Sequence, residues 1–147
     1  MIRPANHDDV PRLIELGTML HQSSTYADLE MIPAKAAAFL HTLIDGAGVI
    51  FVAEIGGQVV GGFAGAITEQ WFSNDLLAYD YSFFLDPKTR SGITAAKLLT
   101  AFMEWARIQG AKSIQIGITT GISVTGTASF YRSMGFADAG LFFSKEL

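Results

Sequence analysis

Hydrophobic residues recur at two periods along this chain, and the switches between them divide it into helices and strands. Between Ser91-Gly92 and Gly110 they come at steps of three and four. Ala95, Leu98, Leu99, Phe102, Trp105 and Ala106 fall on one face, with Lys97, Thr100, Glu104 and Arg107 on the other, which predicts an amphipathic helix. Just before it, Tyr79, Tyr81, Phe83, Phe84 and Leu85 form an aromatic, apolar run that reads as a buried strand. Asp86-Pro87 breaks that strand, because proline has no N–H to continue a ladder. Nearer the start, Val10, Leu13, Ile14 and Leu20 make one helical face up to about His21, with Asn6 as its cap and Asp8 and Asp9 in its first turn. Pro33 opens a second helix, whose stripe is Ala36, Phe39, Leu40, Leu43 and Ile44 and which ends at Asp45-Gly46.

The remaining apolar runs read as strands. They are Met1 to Pro4, Gly48 to Ile55, Gln58 to Thr68 and Ser113 to Thr119, with Gly56-Gly57 as a hairpin turn. Glycines 61, 62 and 65 predict a bulge or a close backbone approach. A short helix is expected from Ala128 to Met134, stopped by Gly135, and one last strand pair or bent strand from Phe136 to Leu147. Three stretches read as loops. Gln22 to Ile32 carries Tyr26, Asp28 and Glu30, Glu69 to Leu77 carries Trp71 and Phe72, and Thr120 to Thr127 is rich in hydroxyls and glycine.

The hairpin implies antiparallel neighbours, whereas the two strands flanking the long helix should pair in parallel through a right-handed crossover. The expected fold is therefore α+β: a mixed, mostly antiparallel sheet with helices on both faces, forming one domain over residues 1–147. Half the residues are hydrophobic and 16% are charged, which suits a filled core rather than disorder. A net charge of −4 argues against general nucleic-acid binding, which needs basic surface. The chain has no cysteine, so thiol nucleophiles, disulfides and zinc–thiolate sites are excluded. His7, His21 and His41 are scattered, and no metal site is expected. The first residues lack a signal-peptide pattern and no apolar run is long enough for a membrane span, so a cytoplasmic protein with no membrane partner is expected.

Chemistry concentrates where the aromatic strand meets the long helix. Lys88 and Arg90 supply positive charge just before a helix N-terminus, whose first N–H groups lack partners and form the positive end of the helix dipole. Strand, cationic turn and helix together predict an anion site for a phosphorylated cofactor. Gly57 to Gly62 is no dinucleotide fingerprint, since no helix follows it. Gly121-Ile122-Ser123 lacks the second glycine of a nucleophile elbow.

Over nearly its whole length the pattern resembles the GCN5-related N-acetyltransferases. In the segment Phe83 to Leu99, Pro87, Arg90, Ala95, Leu98 and Leu99 keep the register of that family's acetyl-CoA-binding motif. The third position after the arginine, normally glycine, is Ile93, with a glycine at 92 instead. Further on, SFYRSMGF from Ser129 to Phe136 is similar to the family's closing motif.

The resemblance implies acetyl-CoA as co-substrate and a small-molecule or peptide amine as acceptor. It implies that backbone groups of Phe83 and Leu85, at a splay in the sheet, pair with the pantetheine arm. The Leu85 N–H would polarise the thioester carbonyl as an oxyanion donor. Backbone amides of Arg90, Ser91, Gly92, Ile93, Thr94 and Ala95 would hold the pyrophosphate, assisted by the Lys88 and Arg90 charges and the Ser91 and Thr94 hydroxyls. Tyr131 would protonate the departing thiolate. The family's frequent asparagine, seven residues before that tyrosine, is Val124 here, with Thr125 or Thr127 as substitutes.

A base is harder to assign. The strand position where some relatives carry a glutamate is Gly117. Asp80 is the first candidate, Glu69 and Glu54 follow, and a water relay without a dedicated side chain stays open. Two functions therefore stand: an N-acetyltransferase in which the amine attacks directly, and a catalytically inactive CoA-binding or protein-interaction module of the same fold. The acceptor's identity and any homodimer are not readable from the residues.

Overall fold

A computed structural model of the chain describes residues 1–89, 91–118 and 124–147. Strands β1 (Ile2–Pro4), β2 (Val49–Ile55), β3 (Gln58–Glu69), β4 (Leu76–Leu85) and β5 (Ser113–Gln115) form one sheet in sequence order. The first four pair antiparallel and β5 joins β4 in parallel. Helices α1 (Val10–Gln22) and α2 (Pro33–Thr42) cover one face, and α3 (Gly92–Ile108) and α4 (Val124–Ser133) lie on the other. The mixed, mostly antiparallel sheet between helical layers is the architecture the periodicity predicted. Among the described residues no helix is long and apolar enough to cross a membrane.

Local signals explain most boundaries. Asn6 Oδ1 accepts the Asp8 N–H at 2.9 Å while Asp9 Oδ2 accepts the Asn6 N–H at 2.8 Å. This reciprocal cap starts a 3₁₀ turn, His7–Asp9, that runs into α1. The α2 helix widens into a π turn, Leu43–Ala47, and stops at Gly46, whose φ of 117° only glycine adopts readily. Ser91 caps α3 by accepting the Ile93 N–H at 3.2 Å.

The cores form on both sides of the sheet. Leu13, Leu16, Leu43, Ile50 and Val52 are buried beneath α1 and α2, and Phe63, Leu98, Leu99 and Phe102 beneath α3. Gly65 lets α3 come close. A Cβ there would stand 2.5 Å from Phe102 Cε2 and 2.5 Å from the Tyr79 carbonyl oxygen. The glycines of β3 thus mark both a bulge and a close approach. Ala64 pairs with Ser82 and Gly65 with Asp80, leaving Tyr81 as an extra residue on β4.

Four boundaries differ from the sequence reading. The β4 strand begins at Leu76 rather than Tyr79, because Leu76 and Leu77 pair with Glu69 and Thr68 at the end of a long β3. The α4 helix begins at Val124 rather than Ala128. The β5 strand stops at Gln115 instead of reaching Thr119, its ladder with β4 ending at the Tyr79–Gln115 pair; Thr119 itself lies outside the described residues. The strand expected from Phe136 to Leu147 does not form. Ala137, Asp138, Ala139 and Gly140 have poor strand propensity, and Arg132 holds Asp138 back toward α4 with two bonds of 2.9 Å.

Candidate active site

Past the last β4–β5 pair the two strands separate. Among the described residues, no strand lies beside β4 from Asp80 to Leu85 on that side. A cavity of about 770 Å³ fills the gap, a size suited to a cofactor arm together with a small molecule. Its floor is β4 from Asp80 to Leu85, except Phe84, which is buried in the opposite core. One wall comes from the α3 N-terminus at Ser91, Gly92 and Ala95, and another from α4 at Gly126, Thr127, Phe130 and Tyr131. The end of α1 and the turn after it close the far side.

A chain of aromatic contacts holds α4 against this floor. Phe63 packs on Phe102 at 4.5 Å and on Phe83 at 5.0 Å between ring centroids. Phe83 reaches Phe130 at 6.5 Å, and Tyr131 lies between Phe130 at 5.7 Å and Phe136 at 5.9 Å. The closing motif is thus packed on the core while its tyrosine lines the cavity. Gly135, at φ 93°, turns the chain so that Phe136 can fold back, its N–H donating to the Tyr131 carbonyl at 3.1 Å.

Asp80 and Tyr131 share this cavity, and the Asp80 charge acts on the Tyr131 phenol. Burial pushes the Asp80 carboxyl above its ordinary value, opposed by the backbone N–H groups of Asp80 itself and of Gly117. Burial likewise raises the Tyr131 phenol, and the Asp80 charge raises it further. Tyr131 therefore keeps its proton throughout the neutral range, whereas Asp80 is more basic than an exposed carboxylate. Nearby, the Tyr79 and Tyr81 hydroxyls are 2.9 Å apart. That bond, with burial and the Tyr81 charge behind it, pushes the Tyr79 phenol up to about 12.

Of the residues expected at the site, Phe83, Leu85, Ser91, Gly92, Ala95, Thr127, Asp80 and Tyr131 line the cavity. Arg90 lies outside the described residues, as do residues 119–123 of the loop before α4. Lys88 and Thr125 are exposed away from the lining, and Thr94 is half-buried behind it. Ile93 turns its side chain outward, 69% exposed, and its N–H is engaged by Ser91 Oγ. The reserve bases are elsewhere. Glu54 sits 3.4 Å from Arg3 on β2, and Glu69 is exposed at the far end of β3. Trp71 and Phe72 pack edge to face on each other, 94% and 70% exposed, and do not reach the cavity.

The sequence reading missed Met19, His21, Ser24, Tyr81 and Phe130, all of which line it. The polar stretch Gln22 to Ile32 was the one available signal for this side, and Tyr26 within it does line the cavity. Among the described residues no group of three or more His, Asp or Glu side chains is placed to hold a metal ion.

Solved structures resemble this fold closely at low sequence identity. Ribosomal-protein-alanine N-acetyltransferase from Brucella melitensis aligns over 95% of this chain and 86% of its own, with a TM-score of 0.78 and 21% identity. An aminoglycoside acetyltransferase from an uncultured soil metagenomic sample, solved with trehalose, aligns over 100% of this chain and 95% of its own, with a TM-score of 0.73 and 24% identity. An acetyltransferase of Trypanosoma brucei aligns over 100% and 99%, with a TM-score of 0.74 and 18% identity. Identities this low establish the fold and not a substrate. No curated protein matches the chain in sequence. A family model described as an acetyltransferase (GNAT) domain matches residues 46–138, from the turn before β2 through the packed closing motif on α4. That match takes in the splayed strands, the α3 N-terminus and Tyr131 together, and the chain belongs to the GNAT acetyltransferase family.

Proposed function

We propose that the protein transfers an acetyl group from acetyl-CoA to a primary amine by direct attack, with Tyr131 as general acid and Asp80 as general base. The observation that carries this reading is the meeting of Asp80 and Tyr131 in the cavity at the open edge of β4.

The residues present suit the co-substrate. The edge of β4 can pair with the amides of a pantetheine arm. The α3 N-terminus, at Ser91 and Gly92 on the same cavity, suits a pyrophosphate, since helix N-terminal amides favour anions. Arg90, Lys88 and Thr94 add charge and a hydroxyl next to that turn in sequence, and the Ile93 N–H becomes available when Ser91 Oγ rotates. Acetyl-CoA supplies an acetyl carbon activated as a thioester.

An amine with a pKa near 10.4 is mostly protonated at pH 7, a deficit of roughly 4–5 kcal/mol. Asp80 is the half-buried carboxylate on the cavity wall, and it takes the proton that the ammonium must lose. The amine then forms its C–N bond at the acetyl carbon, with the Leu85 N–H donating to the carbonyl oxygen as charge develops there. As the C–S bond breaks, Tyr131 gives its proton to the departing sulfur. The acetylated nitrogen then sheds its second proton, which restores the tyrosine, and the proton on Asp80 leaves to solvent, so that ammonium and acetyl-CoA give amide, CoA thiol and one released proton. Thr127, on the cavity wall, takes the place of the family's asparagine; Thr125 points elsewhere.

Calorimetric titration of acetyl-CoA into the wild type and an Arg90→Glu variant tests the cofactor half. Binding at micromolar concentration that the variant loses supports the reading, and no heat from a folded wild type overturns it. Binding without release of CoA on addition of any primary amine would make the chain a CoA-binding module instead.

A further inference from the structure

The cavity has a second arm, beyond Asp80, that the cofactor residues do not occupy. It runs under the end of α1 and the following turn and is lined by Met19, Leu20, His21, Ser24, Tyr26 and Tyr81. That turn is built by its own bonds. His21 Nε2 donates to the Leu29 carbonyl at 2.7 Å, and Ser24 Oγ donates to the His21 carbonyl at 2.9 Å while accepting the Tyr26 N–H at 3.1 Å. These bonds engage His21 Nε2 and Ser24 Oγ in the turn itself; Gln22 and Ser23 add neutral polar groups to the lining, and Met19, Leu20 and the rings of Tyr26 and Tyr81 supply its apolar surface. Met19, Tyr26 and Tyr81 are 39%, 45% and 46% exposed, large apolar surfaces turned toward a cavity rather than packed away. Phe39 supports the Tyr81 ring edge to face at 4.8 Å.

Charge is sparse in this arm. Asp80 is the only carboxylate among the described residues lining the cavity, and residues 90 and 119–123 contain none in sequence. Asp28 and Glu30 lie on the same loop as Tyr26 but are exposed and not on the lining.

We infer that the acceptor is a monoamine with an aromatic or apolar body, its single nitrogen at Asp80 and its body between Met19, Tyr26 and Tyr81, and that polyamines and aminoglycosides are poor substrates. Aromatic rings pack favourably on tyrosine faces and methionine sulfur. A second ammonium carried into this arm would lose its water and find no carboxylate to replace it. The inference rests on the acetyltransferase reading above.

The test compares 2-phenylethylamine with spermidine and kanamycin as acceptors, following CoA release, with acetyl-CoA affinity measured separately by calorimetry. The expected kcat/KM for phenylethylamine is roughly tenfold or more above both polycations, the scale of discrimination that one well-fitted apolar contact region supplies. Tyr81→Ala should raise its KM roughly tenfold with acetyl-CoA affinity retained. Met19→Glu, which adds a carboxylate to the wall, should shift preference toward spermidine. If acetyl-CoA binds but phenylethylamine reacts no better than the polycations, including no reaction with any of them, the inference is overturned while the cofactor reading stands. If acetyl-CoA does not bind, both fall.

Discussion

Arg12 Nη2 donates to Asp86 Oδ2 at 2.7 Å, joining two residues 74 positions apart in the chain. The same guanidinium donates through Nε to the Val59 carbonyl at 3.0 Å. Asp86 in turn accepts the Lys88 N–H at 2.9 Å through its other oxygen, and its own N–H donates to the Val60 carbonyl at 2.9 Å. The turn between β4 and α3, which presents the helix N-terminus to the cavity, is therefore pinned to α1 and β3.

Arg12→Met should loosen that turn without touching the cavity. The expected result is acetyl-CoA affinity weakened by roughly tenfold, since small displacements of positioning groups are amplified in this way, together with a lower melting temperature. The Lys88 N–H, followed by Arg12, holds the Asp86 carboxyl below its ordinary value. Its stabilisation is thus present above the unfolded value and is lost as pH falls through the folded one. Thermal melts across acid pH check this: the difference between wild type and variant should shrink as pH drops below 3.8, the ordinary value of that group.

Tyr131→Phe keeps the ring between Phe130 and Phe136 and removes only the hydroxyl. If Tyr131 is the acid, kcat falls by about 10²–10⁴-fold, with acetyl-CoA affinity and melting temperature unchanged. Because the phenol is raised, the wild-type rate profile should show no descending limb at 10.0, the ordinary tyrosine value. Steady-state kinetics against pH decide both points. A Phe variant with near wild-type kcat would remove Tyr131 from the chemistry.

Asp80→Asn separates catalysis from stability. The carboxyl is raised by burial, so its proton is held more tightly folded than unfolded, and ionising it opposes folding. The melting-temperature difference should be near zero below 3.8, the ordinary value of the group, and should grow in favour of the Asn variant as pH rises above it. Activity should move the other way. The rising limb of kcat/KM, placed above the ordinary carboxylate range, should disappear as the rate falls. A variant that is both more stable and fully active would leave the base role to water.

Gly65→Ala tests the close approach of α3 to the sheet. The added Cβ would meet Phe102 and a rigid carbonyl oxygen, each at 2.5 Å. A cost of about 1–3 kcal/mol is expected for overpacking of this kind, read as a lower denaturant midpoint. Because Gly65 pairs with Asp80, kcat/KM should fall as well. Gly117→Ala, with open space around its Cβ, is the contrasting substitution and should leave the denaturant midpoint nearly unchanged.

The sequence by itself determined the order of elements, the buried face of α3, the hairpin at Gly56-Gly57 and the turn at Asp86-Pro87. These follow from local periodicity, capping and backbone limits, which act within a few residues. It also marked Tyr131 and the start of α3, because their motifs lie in short contiguous stretches. Tertiary structure alone decided what the two ends of the site share.

The bulge at Tyr81 is not written in the alternation of β4. It places Ala78 and Phe83 in the same core although they stand five positions apart, an odd step along the strand. A regular strand would put them on opposite faces. That change of parity depends on how β3 and β4 register against each other. The early end of β5 depends likewise on how far two distant strands stay paired, and the far side of the cavity on which helix end closes the gap. The Asp80–Tyr131 meeting and the facing of Met19 and Tyr26 toward Tyr81 across the cavity are products of those long-range contacts. The physical reason is that periodicity reports which residues are buried, whereas pairing of distant segments decides which buried residues face one another.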